Sequence, residues 1–505
     1  MKRDLFLEEA RLGPRNPVLV EYDEIPHLTG IRRRFRWYAH VDLAHVVMLV
    51  EEQILDATRG ARLLEGLLEL LELGAAHFPW DPRSGSYLVQ VEHYLEQRLG
   101  EDVGGRLQTG RSRNDQEGAV ERLYLRDLLL EVMGDLLALT RQLTMLARDH
   151  VDTVMPGYTH LQHAQPWSFG HFLMRHASGL ERDLQRLSGA YARTNLSALG
   201  GAAMAGTSWA VRRRRTAELL GHAGLVVNAC DAGVFARDHV EEDVAVLALL
   251  MSNLGRLATD LYVFHSWEFG FVQVEDGLAG TSSIMPQKKN PHALERVKAL
   301  AGQAIGWLPG VAGCQRGVLS TDLDLAFGDD VVTPAADGCR AGLRLLTEVT
   351  RTLIVDRERM AERAGAFWST TSHLADELVR RFDLPFRTAH HVVARFVRDS
   401  LAVGHRPAEA SADLLDRAAR DLVGRDLRLG DAELRQALGA SGFLHTRASE
   451  GSVNPLHVQA HIDAMDRALE GHGRWHAERQ VQVRQATEAL EQRARTLASA
   501  ARSTS

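Results

Sequence analysis

The sequence predicts an all-α protein built around a bundle of long helices, and three observations lead there. Strand-like alternation of apolar and polar residues is scarce along all 505 residues. Leu129, Val132, Leu136, Leu139, Leu143 and Leu146 recur at spacings of three and four. Val240, Val244, Leu247, Met251, Leu254, Ala258 and Leu261 do the same. A period of about 3.5 residues keeps one apolar seam facing a neighbouring helix over many turns.

Taken in order, residues 1–112 are expected to form a mostly helical N-terminal domain. The first seam implies a helix from Asp115 to His150, about 54 Å long at 1.5 Å per residue. Pro156 and Gly157 are expected to stop it. Pro166 is expected near the start of the next helix, where a missing N–H costs nothing. The stretches around 168–196 and 293–312 are the candidate long partners. The second seam is expected to end before the small-residue run Gly277 to Gly280. Residues 113–363 then make the long-helix domain. Residues 364–505 make a smaller helical domain with an extended tail, in which Phe382-Asp383-Leu384-Pro385 reads as a helix break. From about 472 the chain is rich in Ala, Gln, Glu and Arg and reads as helix, with a frayed Ser-Thr-Ser end.

Composition narrows the function classes. Hydrophobic residues are 45% and charged residues 25%, ordinary values for a globular chain, and the length suffices for two or three domains. A net charge of −7 argues against a nucleic-acid partner. The runs Arg32-Arg33-Arg34 and Arg212 to Arg215 read as solvated surface or subunit contacts. Cys230, Cys314 and Cys339 are odd in number and far apart, with neither disulfide nor zinc spacing, which fits a reducing, cytoplasmic compartment. No apolar signal region opens the chain, and Val244 to Met251 is too short an apolar run to span a membrane. No metal or cofactor is expected. His457 and His461 have the spacing of helical metal ligands, but no third ligand accompanies them, and they read as surface or packing residues. His390 and His391 read as core and interface residues, and Asp238 and His239 as a helix cap.

Three segments carry the chemistry. Residues 280–295 run from Gly280-Thr281-Ser282-Ser283 through Lys288-Lys289-Asn290 to Glu295. A hydroxyl on a small-residue loop beside fixed cations suits proton abstraction next to a carboxylate; the same residues also make an ordinary solvated turn. Residues 109–116 read Thr-Gly-Arg-Ser-Arg-Asn-Asp-Gln, and residues 156–166 read Pro-Gly-Tyr-Thr-His-Leu-Gln-His-Ala-Gln-Pro. Both are dense in donors for carboxylates, and each lies at the edge of a long helical segment.

Together, in this order and at these separations, the three segments resemble those of argininosuccinate lyase, a member of the fumarase/aspartase superfamily. A fourth similar stretch is Pro385 to His391, and the resemblance runs from about residue 38 to about residue 470. It implies a three-domain fold whose long helices form a twenty-helix bundle in a homotetramer, each active site drawing its three segments from three subunits. It implies a reversible β-elimination that releases fumarate from an N-substituted aspartate, with no cofactor. The proton leaves a carbon beside a carboxylate, and the resulting aci-carboxylate needs preorganised donors and cations.

Residue by residue, Ser282 matches the family's catalytic base, with Ser283 beside it. Lys288 and Asn290 match the residues that hold the carboxylate. Arg113 and Asn114 match the pair that binds the succinyl part, and Ser112 adds a hydrogen bond. Thr159 and His160 match the second segment's Thr-His pair. Glu295 matches the carboxylate that partners the histidine, raising its pKa and fixing its tautomer.

The departures from the family fall on the amine half. Ser86, Tyr87 and Leu88 stand where Asp-Ile-His is usual, and His292 where an Asp is usual. Residues 318–330 hold no Tyr, Gln or Lys, and Asp322 and Asp324 are expected to face a cationic amine there. The Trp-Gly-Gly-Arg-Phe of the family's N-terminus is missing. A guanidinium needs planar polar partners, so the expected amine is not arginine. Argininosuccinate lyase proper, an aminocarboxylate lyase similar to ethylenediamine-disuccinate lyase, and a silent crystallin-like homologue are the alternatives.

Overall fold

The structure is a computed structural model, and it describes residues 15–82, 86–235, 237–316 and 329–500. Three helices build the N-terminal unit: α1 (Ile25–Glu51), α2 (Ala57–His77) and α3 (Tyr87–Leu99). Each start follows local chemistry. Pro26 sits in the first turn of α1, Asp56 accepts from the Arg59 N–H ahead of α2, and Ser86 caps α3. Their inner faces, including Phe35, Val47, Leu63, Leu67 and Val91, form one apolar core.

Five helices make the long bundle: α4 (Arg113–Arg148), α5 (Phe169–Thr194), α6 (Asp238–His265), α7 (His292–Ala304) and α9 (Asp329–Arg351), with the short α8 (Trp307–Cys314) after α7. The 36 residues of α4 span about 54 Å, the length the seam predicts. Leu129, Val132, Leu136, Leu139 and Leu143 are buried in the central core with Leu247, Met251, Leu254 and Leu261 of α6. α4 packs on α5 and α9, while α6 packs on α5, α7 and α9. By length and composition Asp231–His265 is apolar enough to cross a membrane, but its seam residues from Leu247 to Leu261 lie inside this core. α4 and α6 run in the same sense. Near their starts Arg122 meets His239 at 3.2 Å; at the far end Phe264 meets Phe172, just past the close of α4.

Several expectations need correction here. Pro156, Gly157 and Pro166 do not sit at helix ends but in an antiparallel hairpin, β1 (Val154–Thr159) and β2 (Gln162–Ser168), paired from Val154↔Ser168 to Thr159↔Gln162. The register slips between Met155 and Gly157, so Pro156 falls at the irregularity, where no ladder N–H is required. Gly157 is needed there, since a Cβ would lie 2.3 Å from the Gln165 carbonyl oxygen. Helix α5 starts only after Ser168, whose hydroxyl accepts from the His171 N–H at 3.1 Å. His239 is no cap: it is buried, 3.2 Å from Glu121 of α4, and no side chain caps α6. His390 and His391 are exposed. Arg32, Arg33, Arg212 and Arg214 are exposed, as expected, while the other arginines of the two runs are half-buried and serve the fold. Arg32 and Arg34 lie over the rings of Trp80 and Tyr124, Arg213 donates to the carbonyls of Leu199, Val226 and Val227, and Arg215 pairs with Glu51.

In the C-terminal unit, α10 (Arg357–Gly365), α11 (Thr371–Phe382), α12 (Phe386–Ala402) and α13 (Ala412–Val423) follow one another, and the last three share a core with Leu427, Leu434 and Leu438. The expected break at 382–385 is present, with Asp383 left-handed at φ 54°. Helix α14 (Pro455–Ala500) departs from that unit. Its first half buries Val458, Ile462, Met465 and Leu469 in the bundle core, and its second half places Leu490 and Ala494 in the N-terminal core. His461 on α14 is a packing residue, 3.1 Å from Ser178. The terminal Ser-Thr-Ser, Asp322 and Asp324 lie outside the described residues.

Candidate active site

The first segment forms the entry to α4. Ser112 is its N-cap: the Asn114 N–H donates to the Ser112 hydroxyl at 3.4 Å, and the Ser112 N–H donates to Asp115 at 2.8 Å. Asp115 is fully buried and also accepts from the Gly200 N–H at 2.7 Å, which ties the turn to the 200–211 loop. Gly110 makes the turn at φ 76°; a Cβ there would meet Val211 at 2.9 Å. The consequence is an exposed Arg113, with half-buried Ser112 and Asn114 beside it, at the N-terminus of a 36-residue helix. The helix dipole adds to the guanidinium in favouring an anion there.

The second segment is the tip of the β1–β2 hairpin. His160 and Leu161 form its two-residue turn with φ 56° and 58°, the left-handed pair that matches strand twist. Non-glycine residues held there are strained, and they leave Thr159 and His160 exposed. A cleft of about 590 Å³ opens beside His160, lined by Tyr158, Trp167, Phe172, Phe264 and Phe269 with Arg175 and Asp260 at its polar edge. Burial pushes the Tyr158 hydroxyl up to about 12.

The third segment is a second hairpin, β3 (Gly280–Thr281) and β4 (Lys289–Asn290), with Ser282 to Lys288 as its loop. The Ser282 hydroxyl oxygen accepts from the N–H groups of Ile284 (3.3 Å) and Met285 (3.2 Å). This is a turn geometry, and it is also what an alkoxide at that oxygen requires. Ser283 and Lys288 are exposed on the loop, and Asn290 is half-buried. Lys289 is engaged instead with Asp276 at 2.6 Å. His265, the last residue of α6, anchors the hairpin: its Nδ1 accepts from the Val274 N–H at 3.3 Å and its Nε2 faces the Lys289 carbonyl at 3.5 Å. Glu295 lies in the first turn of α7 and is exposed.

Within one chain the first segment lies far from the other two. Arg113 opens α4, whereas the hairpin bearing Thr159 and His160 follows its far end, about 54 Å away. The third segment hangs from the far end of α6, a 28-residue helix about 42 Å long. No hydrogen bond or ion pair joins Ser282, Lys288 or Glu295 to Thr159 or His160 among the described residues. Sequence reasoning missed the supports: Asp42, Tyr87, Arg111, Asp115, Gln116 and His265. The Ser112-x-x-Asp115 capping spacing is the one signal that marked any of them. Of the amine-half positions, Ser86 is a helix cap, and Tyr87 and Leu88 are buried in the N-terminal core.

Residues 31–306 match the lyase family model, and residues 368–444 match the argininosuccinate lyase C-terminal model. The argininosuccinate lyase of Methanosarcina acetivorans is 37% identical over 434 residues, which cover 85% of this chain and 86% of that protein. That of Methanothrix thermoacetophila is 38% identical over 436 residues, 85% of this chain and 87% of its own. The crystal structure of EDDS lyase in complex with formate matches with a TM-score of 0.86 at 34% identity, covering 97% of each chain. The chain belongs to the argininosuccinate lyase family of the fumarase/aspartase superfamily.

Proposed function

We propose that this carbon–nitrogen lyase cleaves an N-substituted L-aspartate into fumarate and an amine other than arginine, reversibly, at sites shared between the subunits of a homotetramer. A fumarate-releasing reaction agrees with its relatives, which are argininosuccinate lyases and an EDDS lyase, one variant of which holds bound fumarate. The observation that carries the reading is the Ser282 hydroxyl, poised over two backbone N–H groups on an exposed loop beside Lys288. As an alkoxide it removes the proton next to the substrate carboxylate. The electron pair moves into that carboxylate, and Lys288 and Asn290 hold the growing charge. Arg113, Asn114 and Ser112 bind the other carboxylate of the succinyl part, Arg113 by charge-assisted hydrogen bonds. The electron pair then returns to form the double bond and expels the amine, which takes a proton. His160, next to Thr159 and partnered by Glu295 of a neighbouring subunit, is assigned to that step.

The separation of the segments along α4 and α6 supports sharing between subunits, because no substrate of this class spans about 40 Å. The amine assignment is supported by Ser86, Tyr87 and Leu88, which serve the fold, and by His292 after the loop lysines. An ultraviolet assay for fumarate with a panel of N-substituted aspartates tests the reading. Release from one of them, faster than from argininosuccinate, supports it. Fastest turnover of argininosuccinate overturns the amine assignment, and no release from any of them leaves the crystallin-like alternative.

A further inference from the structure

The turn that presents Ser112, Arg113 and Asn114 stands on a buried ion pair that the elimination itself does not use. Arg111, one residue earlier, points its guanidinium into the N-terminal unit. Its side chain and that of Asp42 on α1 are both 0% exposed, and Arg111 Nη1 lies 2.7 Å from Asp42 Oδ1. Asp42 gathers two further donors: the Tyr87 hydroxyl at 3.1 Å from α3, and Gln116 Nε2 at 2.7 Å from the first turns of α4. One turn along α1, His45 faces the Thr109 carbonyl through Nε2 at 2.8 Å. Burial beside Arg111 holds the His45 imidazole neutral, so Nε2 carries the proton that this contact needs. The segment 109–116 is therefore pinned to α1 at Thr109, Arg111 and Gln116.

The pair is sensitive to loss of either member. Among the described residues the Arg111 side chain has, apart from the close Asp42 carboxylate, only Gln108, 3.3 Å from Nε, and neither Nη1 nor Nη2 has a hydrogen bond of good geometry. A guanidinium does not give up its proton. With Asp42 neutral it stays charged and must reach for water, drawing residues 110–113 with it.

We propose that Asp42, acting through Arg111, is a positioning residue for the carboxylate end of the substrate, setting the height of the turn that carries Ser112, Arg113 and Asn114. This rests on the reading of that turn as a carboxylate site. Tyr87 belongs to the same device, which gives that position a task on the fumarate half of the reaction.

The test is two-substrate kinetics in the direction of amine addition, with fumarate and an amine that the wild-type enzyme accepts. Asp42→Asn is expected to raise the KM for fumarate about tenfold, while the KM for the amine stays within about twofold. Tyr87→Phe, which removes one donor and leaves the pair, is expected to raise the fumarate KM about two- to threefold. Asp42→Asn with Arg111→Met leaves no stranded charge and is expected to recover part of the loss. A purely structural role would reduce the amount of active enzyme and leave both KM values unchanged. That result in folded Asp42→Asn, or an equal rise in both KM values, overturns the proposal. If Asp42→Asn does not fold, an unchanged fumarate KM in Tyr87→Phe overturns it. If the wild type adds no amine to fumarate, the lyase reading fails. Calorimetric binding of fumarate then decides this proposal, with an unchanged Kd in both variants overturning it.

Discussion

Subunits inactivated at different segments should restore one another. Consider Arg113→Ala chains mixed in equal amounts with Ser282→Ala chains. The first lesion removes charge-assisted contacts worth about 1.5–3 kcal/mol, leaving about a tenth to a hundredth of activity. The second removes the base. In one chain the first segment opens the 36-residue α4, and the third hangs from the far end of the 28-residue α6, which lies alongside it. The two are separated by about 40 Å, several times the length of an N-substituted aspartate. On the proposed reading a site takes its first segment from one subunit of the tetramer and its third from another. In randomly mixed tetramers each supplier is intact at that segment half the time, so about a quarter of the sites carry neither lesion. Were both segments drawn from one chain, every site would carry a lesion and nothing would be regained. The assay is co-expression with two different tags, tandem purification of mixed oligomers, and fumarate absorbance. Activity no higher than the two parents in verified mixed oligomers refutes the reasoning, as does an active monomer by light scattering. Repeating it with His160→Asn and Ser282→Ala asks the same of the second and third segments.

Further outcomes are expected. Ser282→Ala should lower kcat by about three orders of magnitude or more. Its thermal midpoint should hardly move, because the loop is exposed and the hydroxyl accepts only from Ile284 and Met285; near-normal fumarate release would shift the base to Ser283. Argininosuccinate should show a lower kcat/KM than ethylenediamine-disuccinate or related aminocarboxylates in steady-state kinetics. Leu490→Ala, at a site 1% exposed in the N-terminal core, should cost about 2–5 kcal/mol in reversible denaturation. Burial lowers His150 from 6.5 to about 4. Its contribution is therefore fully present above pH 6.5 and is lost as pH falls towards 4, where the unfolded chain binds a proton the folded one refuses. His150→Gln should flatten the thermal midpoint against pH across that window, and an unchanged slope would exclude His150 as the cause.

The bundle was legible because a seam such as Leu129 to Leu143 repeats the same spacing for four turns, long enough to outweigh local noise. The β1–β2 hairpin was not. Its turn is His160-Leu161, not the Asn-Gly or Asp-Gly pair that marks such a turn in sequence, and its two prolines mimic helix punctuation. The site's polar residues could be read from their order. Their supports could not, because Asp42 meets Arg111, and Tyr87 meets Asp42, only through tertiary packing across more than forty residues. Arg34 misled for the same reason: the Tyr124 ring over which it lies is remote in sequence.

The path of α14 has a consequence for biosynthesis. Leu490 and Ala494 complete a core whose other members lie mainly between Leu28 and Leu123, with a few from 198–232. Electrostatic contacts repeat the closure, with Glu51 bound by Arg493 and His40 by Glu491. The N-terminal unit therefore cannot finish folding until α14 has been made. Contacts separated by more than four hundred residues form late and slowly. Until they do, the nascent chain exposes an apolar groove on α1 and α2 that Leu490 and Ala494 of α14 fill. A chain released before residue 490 would keep that groove open, and its fate would be aggregation or degradation rather than a shorter, working enzyme.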